Sequence, residues 1–139
     1  MKGLSMKIGA FFLSMMLFML LGCATIPKEA DLKESLKTAA DRYWKLRMED
    51  RYEDTYKMED SQGLPPFEEY RNLVMRKKGV QIRSVAVQNV TVNGDSGEVD
   101  TEWIYALPKI SQPFHDVIKD RWTFRDGTWW HTLLPKSLK

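Results

Sequence analysis

Asp120 and His131 are the residues of this chain whose types and spacing best suit proton chemistry. They flank Asp126-Gly127, a pair that, between alternating apolar runs, marks a two-residue type I′ hairpin. With those two residues as the loop, Arg125 faces Thr128, Phe124 faces Trp129, Trp122 faces His131 and Asp120 faces Leu133. Asp120 and His131 then become diagonal neighbours on one face of the sheet, about 7–8 Å apart at Cα, which their side chains can bridge. A desolvated carboxylate beside an imidazole can work as a general acid–base pair, each group tuning the other's protonation. The same pair can instead be a structural contact that satisfies two partly buried polar groups. Other chemistries lack their residues. The chain has two histidines and one cysteine, with no ligand-spaced cluster for a metal. It has no glycine-rich phosphate loop and no Gly-x-Ser-x-Gly elbow. No cofactor and no metal are expected, and no residue is assigned a catalytic role.

The elements that must position the pair are read from hydrophobic period. From Asp31 onward Leu32, Leu36, Ala39, Ala40, Tyr43 and Leu46 recur at three- and four-residue steps, the stripe of an amphipathic helix running to about Met48. Glu49-Asp50-Arg51 breaks the phase, and Tyr52, Thr55, Tyr56 and Met58 suggest a short second helix. Pro66 suits the first turn of a third helix through Phe67, Tyr70, Leu73 and Val74, closed by Gly79 behind three basic residues. Charge runs such as Arg47 to Asp54 and Arg76 to Lys78 read as solvated helix faces or as a favourable helix C-terminus.

Beyond Gly79 the period changes to two, with β-branched and aromatic residues between turn clusters. Four antiparallel strands are expected, about Val80–Val92, Glu98–Leu107, Phe114–Arg125 and Thr128–Leu134. The last two gather Ile118, Asp120, Trp122, Phe124, Trp129, His131 and Leu133 on the core face, and turn Trp130 outward beside Thr132. With Gly94-Asp95 as the tip of the first hairpin, Val90 pairs with Val99, Ala86 with Trp103, Ser84 with Tyr105 and Ile82 with Leu107. That inward face also carries Gln88 and Thr101, and a bulge in the long first strand would break the register.

Helices followed by a curved antiparallel sheet, with Tyr43-Trp44-Lys45-Leu46-Arg47 near the end of helix one and Asp120-Arg-Trp122-Thr-Phe124-Arg-Asp126-Gly127-Thr-Trp129 near the end of the sheet, resemble the nuclear-transport-factor-2-like superfamily over roughly residues 31–135. The resemblance implies an α+β cone of the cystatin-like kind, whose helices and sheet enclose a pocket. Ketosteroid isomerase, SnoaL-type polyketide cyclases and scytalone dehydratase are similar in plan, as are many binding domains, so the fold implies no single function. The ketosteroid isomerase residues do not map onto this chain one by one. Asp120, His131, Trp122, Trp103 and Tyr105 are the candidate pocket residues, with Phe124 and Trp129 near them. Pockets are mostly apolar with a few placed polar groups. Filling a core is the alternative role for each aromatic.

The N-terminus carries an address. Lys2 and Lys7 precede an apolar run from Ile8 to Leu21, in the order of a secretory signal. Leu20-Leu21-Gly22-Cys23 resembles the lipobox of bacterial lipoproteins, which implies cleavage before Cys23 and acylation, with palmitate among the chains. An uncleaved membrane span is the rival reading, and either leaves the C-terminal domain outside the inner membrane. Ala24 stands where an inner-membrane retention aspartate would, so the outer membrane facing the periplasm is the expected location. The expected division is 1–22 signal peptide, 23–30 lipidated tether and 31–139 a single domain.

Charge removes one class of partner. The chain holds 21 Lys plus Arg against 19 Asp plus Glu, and the surplus is Lys2 and Lys7. The remainder is balanced and has no net field to steer it toward nucleic acid. With Cys23 lipidated no thiol remains for a disulfide. The function expected is an envelope lipoprotein acting as a non-catalytic binding or accessory module for a small apolar ligand or an envelope protein. The first alternative is an enzyme of the ketosteroid isomerase or SnoaL type using Asp120 and His131. The second is a structural assembly lipoprotein with a solid interior and an exposed apolar patch around Trp130, which a partner subunit in a homo-oligomer could cover.

Overall fold

The computed structural model describes residues 28–75 and 79–133. Residues 1–27, which include Cys23 and the span read as a signal peptide, residues 76–78 and residues 134–139 lie outside them. Three helices precede a four-stranded antiparallel sheet. Helix α1 is Glu29–Met48, α2 is Tyr52–Tyr56 and α3 is Phe67–Val74. The strands are β1 Gln81–Asn93, β2 Ser96–Ala106, β3 Phe114–Arg125 and β4 Thr128–Thr132, in that spatial order.

Helix α1 starts two residues before the expected Asp31, inside the span read as tether. Glu29 and Asp31 fill its first turn and Lys45 and Arg47 its last, each complementing the helix dipole. Its stripe buries Leu36, Ala40, Tyr43, Trp44 and Leu46, so the periodicity located the right face. Helix α3 begins at Phe67 with Pro66 as its N-cap, one position earlier in role than expected. The Pro66 carbonyl accepts from Tyr70 N–H at 3.0 Å.

Both hairpins turn where the sequence places them. Asp126 and Gly127 hold φ of 53° and 77°, the double left-handed conformation of a type I′ turn. Arg125↔Thr128, Phe124↔Trp129 and Trp122↔His131 pair as expected. That ladder ends at Arg121↔Thr132, so Asp120 has no β4 partner opposite it. In the first hairpin Asn93↔Ser96 and Val90↔Val99 hold. Further along, the expected register fails, because β1 carries irregularities between Val87 and Asn89 and between Ile82 and Ser84.

Each irregularity places one extra residue on β1, which shifts the pairing by one and reverses the face of the residues beyond it. Trp103 therefore faces Val85 rather than Ala86, and Tyr105 faces Ile82 rather than Ser84. Ala86, Ser84 and Gln88, expected inside, are not buried there: Ser84 and Gln88 are exposed and Ala86 lies on the outer side of the register. Gln88 donates to Glu102 at 2.8 Å. Val85 and Val87 take the inner positions and pack against the core. Leu107 falls beyond the end of β2.

Leu36, Ala40, Tyr43 and Trp44 of α1 meet Val92, Val99, Trp122 and Trp129 of the sheet to form the core. Gly97 permits that approach. A Cβ there would lie 2.3 Å from Leu36 Cδ2 and 3.0 Å from Trp129 Cζ3, so any side chain would displace the buried Leu36 and crowd Trp129. Trp130, expected in the open, is half-buried. Its indole N–H donates to the Arg125 carbonyl at 3.4 Å, and the Arg125 guanidinium lies 5.9 Å from its ring.

Candidate functional site

The C-terminal half of α1 stands over the sheet away from the Gly97 end, and there the two layers do not close. A cavity of about 590 Å³ remains between them, within the range of small-molecule sites. Trp44, Met48, Val80, Ile82, Trp103 and Tyr105 supply much of its apolar wall, with Leu133 beyond β4. Leu73, Met75 and Ile118 also line it while remaining 41%, 52% and 41% exposed. They form an apolar rim at its mouth.

Four of the residues singled out in the sequence line this space: Trp103, Tyr105, Asp120 and His131. Trp122 does not. It is 1% exposed at the centre of the core, with its ring 5.7 Å from Tyr43 and 5.1 Å from His131. Phe124 and Trp129 likewise belong to the core cluster rather than to the cavity wall. Cys23 lies outside the described residues.

The polar floor is larger than the Asp120–His131 pair. His131 Nδ1 is 2.7 Å from Glu59 Oε2, and His131 Nε2 is 3.8 Å from Asp120 Oδ1. The second contact is longer than a hydrogen bond. Glu59 Oε1 accepts from the Tyr43 hydroxyl at 2.7 Å and the Tyr70 hydroxyl at 3.0 Å. Asp120 Oδ2 accepts from Trp44 Nε1 at 2.9 Å and Thr101 Oγ1 at 3.0 Å. The His131 ring stacks on Tyr43 at 4.3 Å. Glu59 and His131 are 2% and 6% exposed, so these groups have exchanged water for one another.

Glu59 reaches His131 because of backbone pairing. The chain leaving α2 lies parallel along the free edge of β4, with His131 N–H donating to the Met58 carbonyl at 2.8 Å and Asp60 N–H donating to the His131 carbonyl at 2.7 Å. Arg125 Nη2 then holds Asp60 at 3.1 Å. The edge of the sheet is thereby paired at His131, and a carboxylate is delivered beside the imidazole. Sequence reading missed Glu59. It stands in a polar stretch with no periodic or motif signal, and only the docking of that stretch on β4 gives it a role.

Burial opposes charge on the His131 ring, but the Asp120 and Glu59 carboxylates outweigh it and raise its pKa above the ordinary histidine value. Burial first, and then the charge of Glu59, push the Tyr43 hydroxyl well above the usual tyrosine range. Tyr70 rises for the same two reasons. Because the folded-state pKa of His131 lies above the unfolded one, its contribution to stability is complete below about pH 6.5, the unfolded value, and is lost as pH rises through the folded value. The urea midpoint of the protein is therefore expected to fall as pH rises above about 6.5, and His131→Gln should flatten that slope. An unchanged slope in the variant would remove His131 as its source.

Arg47 lines the same cavity from the end of α1. One of its terminal nitrogens donates to the Val74 carbonyl at the end of α3, and the other lies 3.4 Å from the Tyr43 hydroxyl. The guanidinium carbon is 5.9, 5.8 and 5.8 Å from the rings of Tyr43, Trp44 and Tyr52. These are cation–π distances. Among the described residues no group of His, Cys, Asp and Glu could hold a metal ion, and no helix is long and apolar enough to cross a membrane.

Comparison with solved structures identifies the class of fold. An NTF2-like protein of Campylobacter jejuni superposes with a TM-score of 0.52 at 11% identity, over 68% of this chain and 94% of its own. A SEC-C motif-containing protein of Rhodopseudomonas palustris superposes with a TM-score of 0.54 at 9% identity, over 68% and 73%. An NTF2-like protein with a cystatin-like fold from Novosphingobium aromaticivorans aligns over 96% and 95% at 16% identity, with a TM-score of 0.45. The chain thus has an NTF2-like fold, an assignment that rests on the Campylobacter likeness. At such identities the likeness defines the fold alone. No family model matches the sequence, and no curated protein does.

Proposed function

We propose that this protein is a lipid-anchored envelope module that binds a small apolar molecule in the cavity between α1 and the sheet. The cavity itself carries the reading. A domain of this size that only filled space would close its layers, since empty volume forfeits packing contacts. The polar floor supports binding over catalysis. Both His131 nitrogens face carboxylates, and Asp120 Oδ2 already accepts two hydrogen bonds. Those groups hold one another, which is the behaviour of a rigid base beneath an apolar chamber. A solid assembly protein is the poorer fit, because the interior is open and Trp130 is half-buried.

The neutral apolar fluorophore N-phenyl-1-naphthylamine tests the reading. The purified protein should bind it saturably with about one site. Ile82→Trp, which fills the wall, should abolish binding while keeping the unfolding midpoint. Non-saturable uptake, or equal binding by the variant, would sink it. The anchor rests on Leu20-Leu21-Gly22-Cys23 behind a basic, apolar leader, and the outer membrane facing the periplasm is its proposed place. Several acyl chains hold a protein at a bilayer far more firmly than one, at about 0.8 kcal/mol per buried methylene. Labelled palmitate should enter the wild-type protein and not Cys23→Ala, and a label-free wild type would withdraw the anchor.

A further inference from the structure

The hydrogen bonds around the cavity do not balance, and the imbalance has one sign. The acceptors are supplied: Asp120 Oδ2 by Trp44 and Thr101, Glu59 by Tyr43, Tyr70 and His131, and Asp116 Oδ2 by the Tyr105 hydroxyl at 2.8 Å. Two buried donors on cavity-lining side chains are not used, the Nε of Arg47 and the Nε1 of Trp103. They flank one ring. Trp103 meets Trp44 edge-to-face at 4.9 Å, and the Arg47 guanidinium stands 5.8 Å from Trp44.

A donor buried without a partner costs about 1–3 kcal/mol, so a native site that keeps two of them calls for an acceptor from outside. The charge of Arg47 narrows the kind. Among the described residues it has no carboxylate partner: its two hydrogen-bonding contacts are a carbonyl and a hydroxyl. The one lysine among the described residues of the cavity wall, Lys119, is committed, with its amine 3.0 Å from Asp100 and 3.9 Å from Glu98. An arginine with no anion among the described residues, beside an apolar chamber, matches a planar carboxylate on an apolar body, because the guanidinium fork fits that group in two parallel bonds.

We infer that the cavity's ligand is an apolar monocarboxylate, whose carboxylate is received by Arg47 at the mouth while its hydrocarbon body lies against Trp44, Trp103 and Ile82. This rests on the cavity being a binding site and adds the chemical class. Asp116 and Asp120 do not speak for a cationic ligand, because each already has a donor or counter-charge inside the fold.

The test compares cis-parinaric acid with its methyl ester and with hexadecylamine, titrated into wild-type protein, Arg47→Gln and Arg47→Lys at pH 8. The acid should bind wild type at least about 10-fold more tightly than the ester, the lower range for a charge-assisted hydrogen bond. Arg47→Gln should bring the acid down to the ester and leave the ester unchanged, with Arg47→Lys between the two. Equal affinity for acid and ester in wild type would overturn the carboxylate while leaving the apolar cavity reading intact, and tighter binding of the amine would overturn it too. Binding of none of the three would sink both readings. Should Arg47→Gln fail to fold, the acid-to-ester ratio of the wild type still decides.

Discussion

Glu59→Ala should cost about 3–5 kcal/mol of stability, because it strips one side from a buried, charged network and leaves the other side in place. Two groups lose their acceptor at once, the Tyr43 hydroxyl and His131 Nδ1, and the Tyr70 hydroxyl is left with Thr55 Oγ1 at 2.9 Å alone. None can turn to water, since Tyr43 and Tyr70 are 1% and 0% exposed and His131 is 6% exposed. Against a total stability of roughly 5–15 kcal/mol for a domain of this kind, that is a large fraction. The melting temperature should fall by well over about 10 °C. Urea unfolding checks it, with Tyr43→Phe as a milder control that removes one hydroxyl and keeps the ring. A loss under about 1 kcal/mol, no more than an ordinary hydrogen bond contributes, would mean that Glu59 is not the keystone of the floor.

Trp122→Ala should be of similar size, about 3–5 kcal/mol, through an unrelated mechanism. Its side chain is fully enclosed, and removal leaves a void lined by Tyr43, His131 and the core cluster that the sheet cannot collapse to fill. Trp103→Ala is the informative partner. Trp103 is half-buried on the cavity wall, so its loss should cost stability less than Trp122 does, while ligand affinity falls. Both tryptophans share the sheet's inner side and cannot be told apart by pattern. If Trp122→Ala weakens binding and spares the melting temperature, its place is the chamber and not the core.

That pair of tryptophans shows how far the sequence reaches. Period and turn chemistry located all three helices and all four strands of the described residues, and the Asp126-Gly127 pair set the β3–β4 register, because a two-residue left-handed turn admits a single pairing. The same logic failed along β1. Two bulges moved the register twice, exchanging Ala86 and Ser84 for Val85 and Ile82 as partners of Trp103 and Tyr105. A bulge is settled by how a long strand must bend over the helix it covers, and no residue of β1 announces it.

Local order thus determined the elements, the two turns and the neighbourhood of Asp120 and His131, since each depends on residues close in the chain. The groups beneath and above that pair were decided by tertiary structure. Glu59 arrives only when the segment after α2 pairs with the edge of β4. Arg47 gains its place only when the end of α1 meets Val74, and the chamber exists only because α1 closes on the sheet at Gly97 and diverges beyond it. These are contacts between segments distant in sequence. Their energies come from burial and from the pairing of charges, quantities that a one-dimensional pattern does not contain.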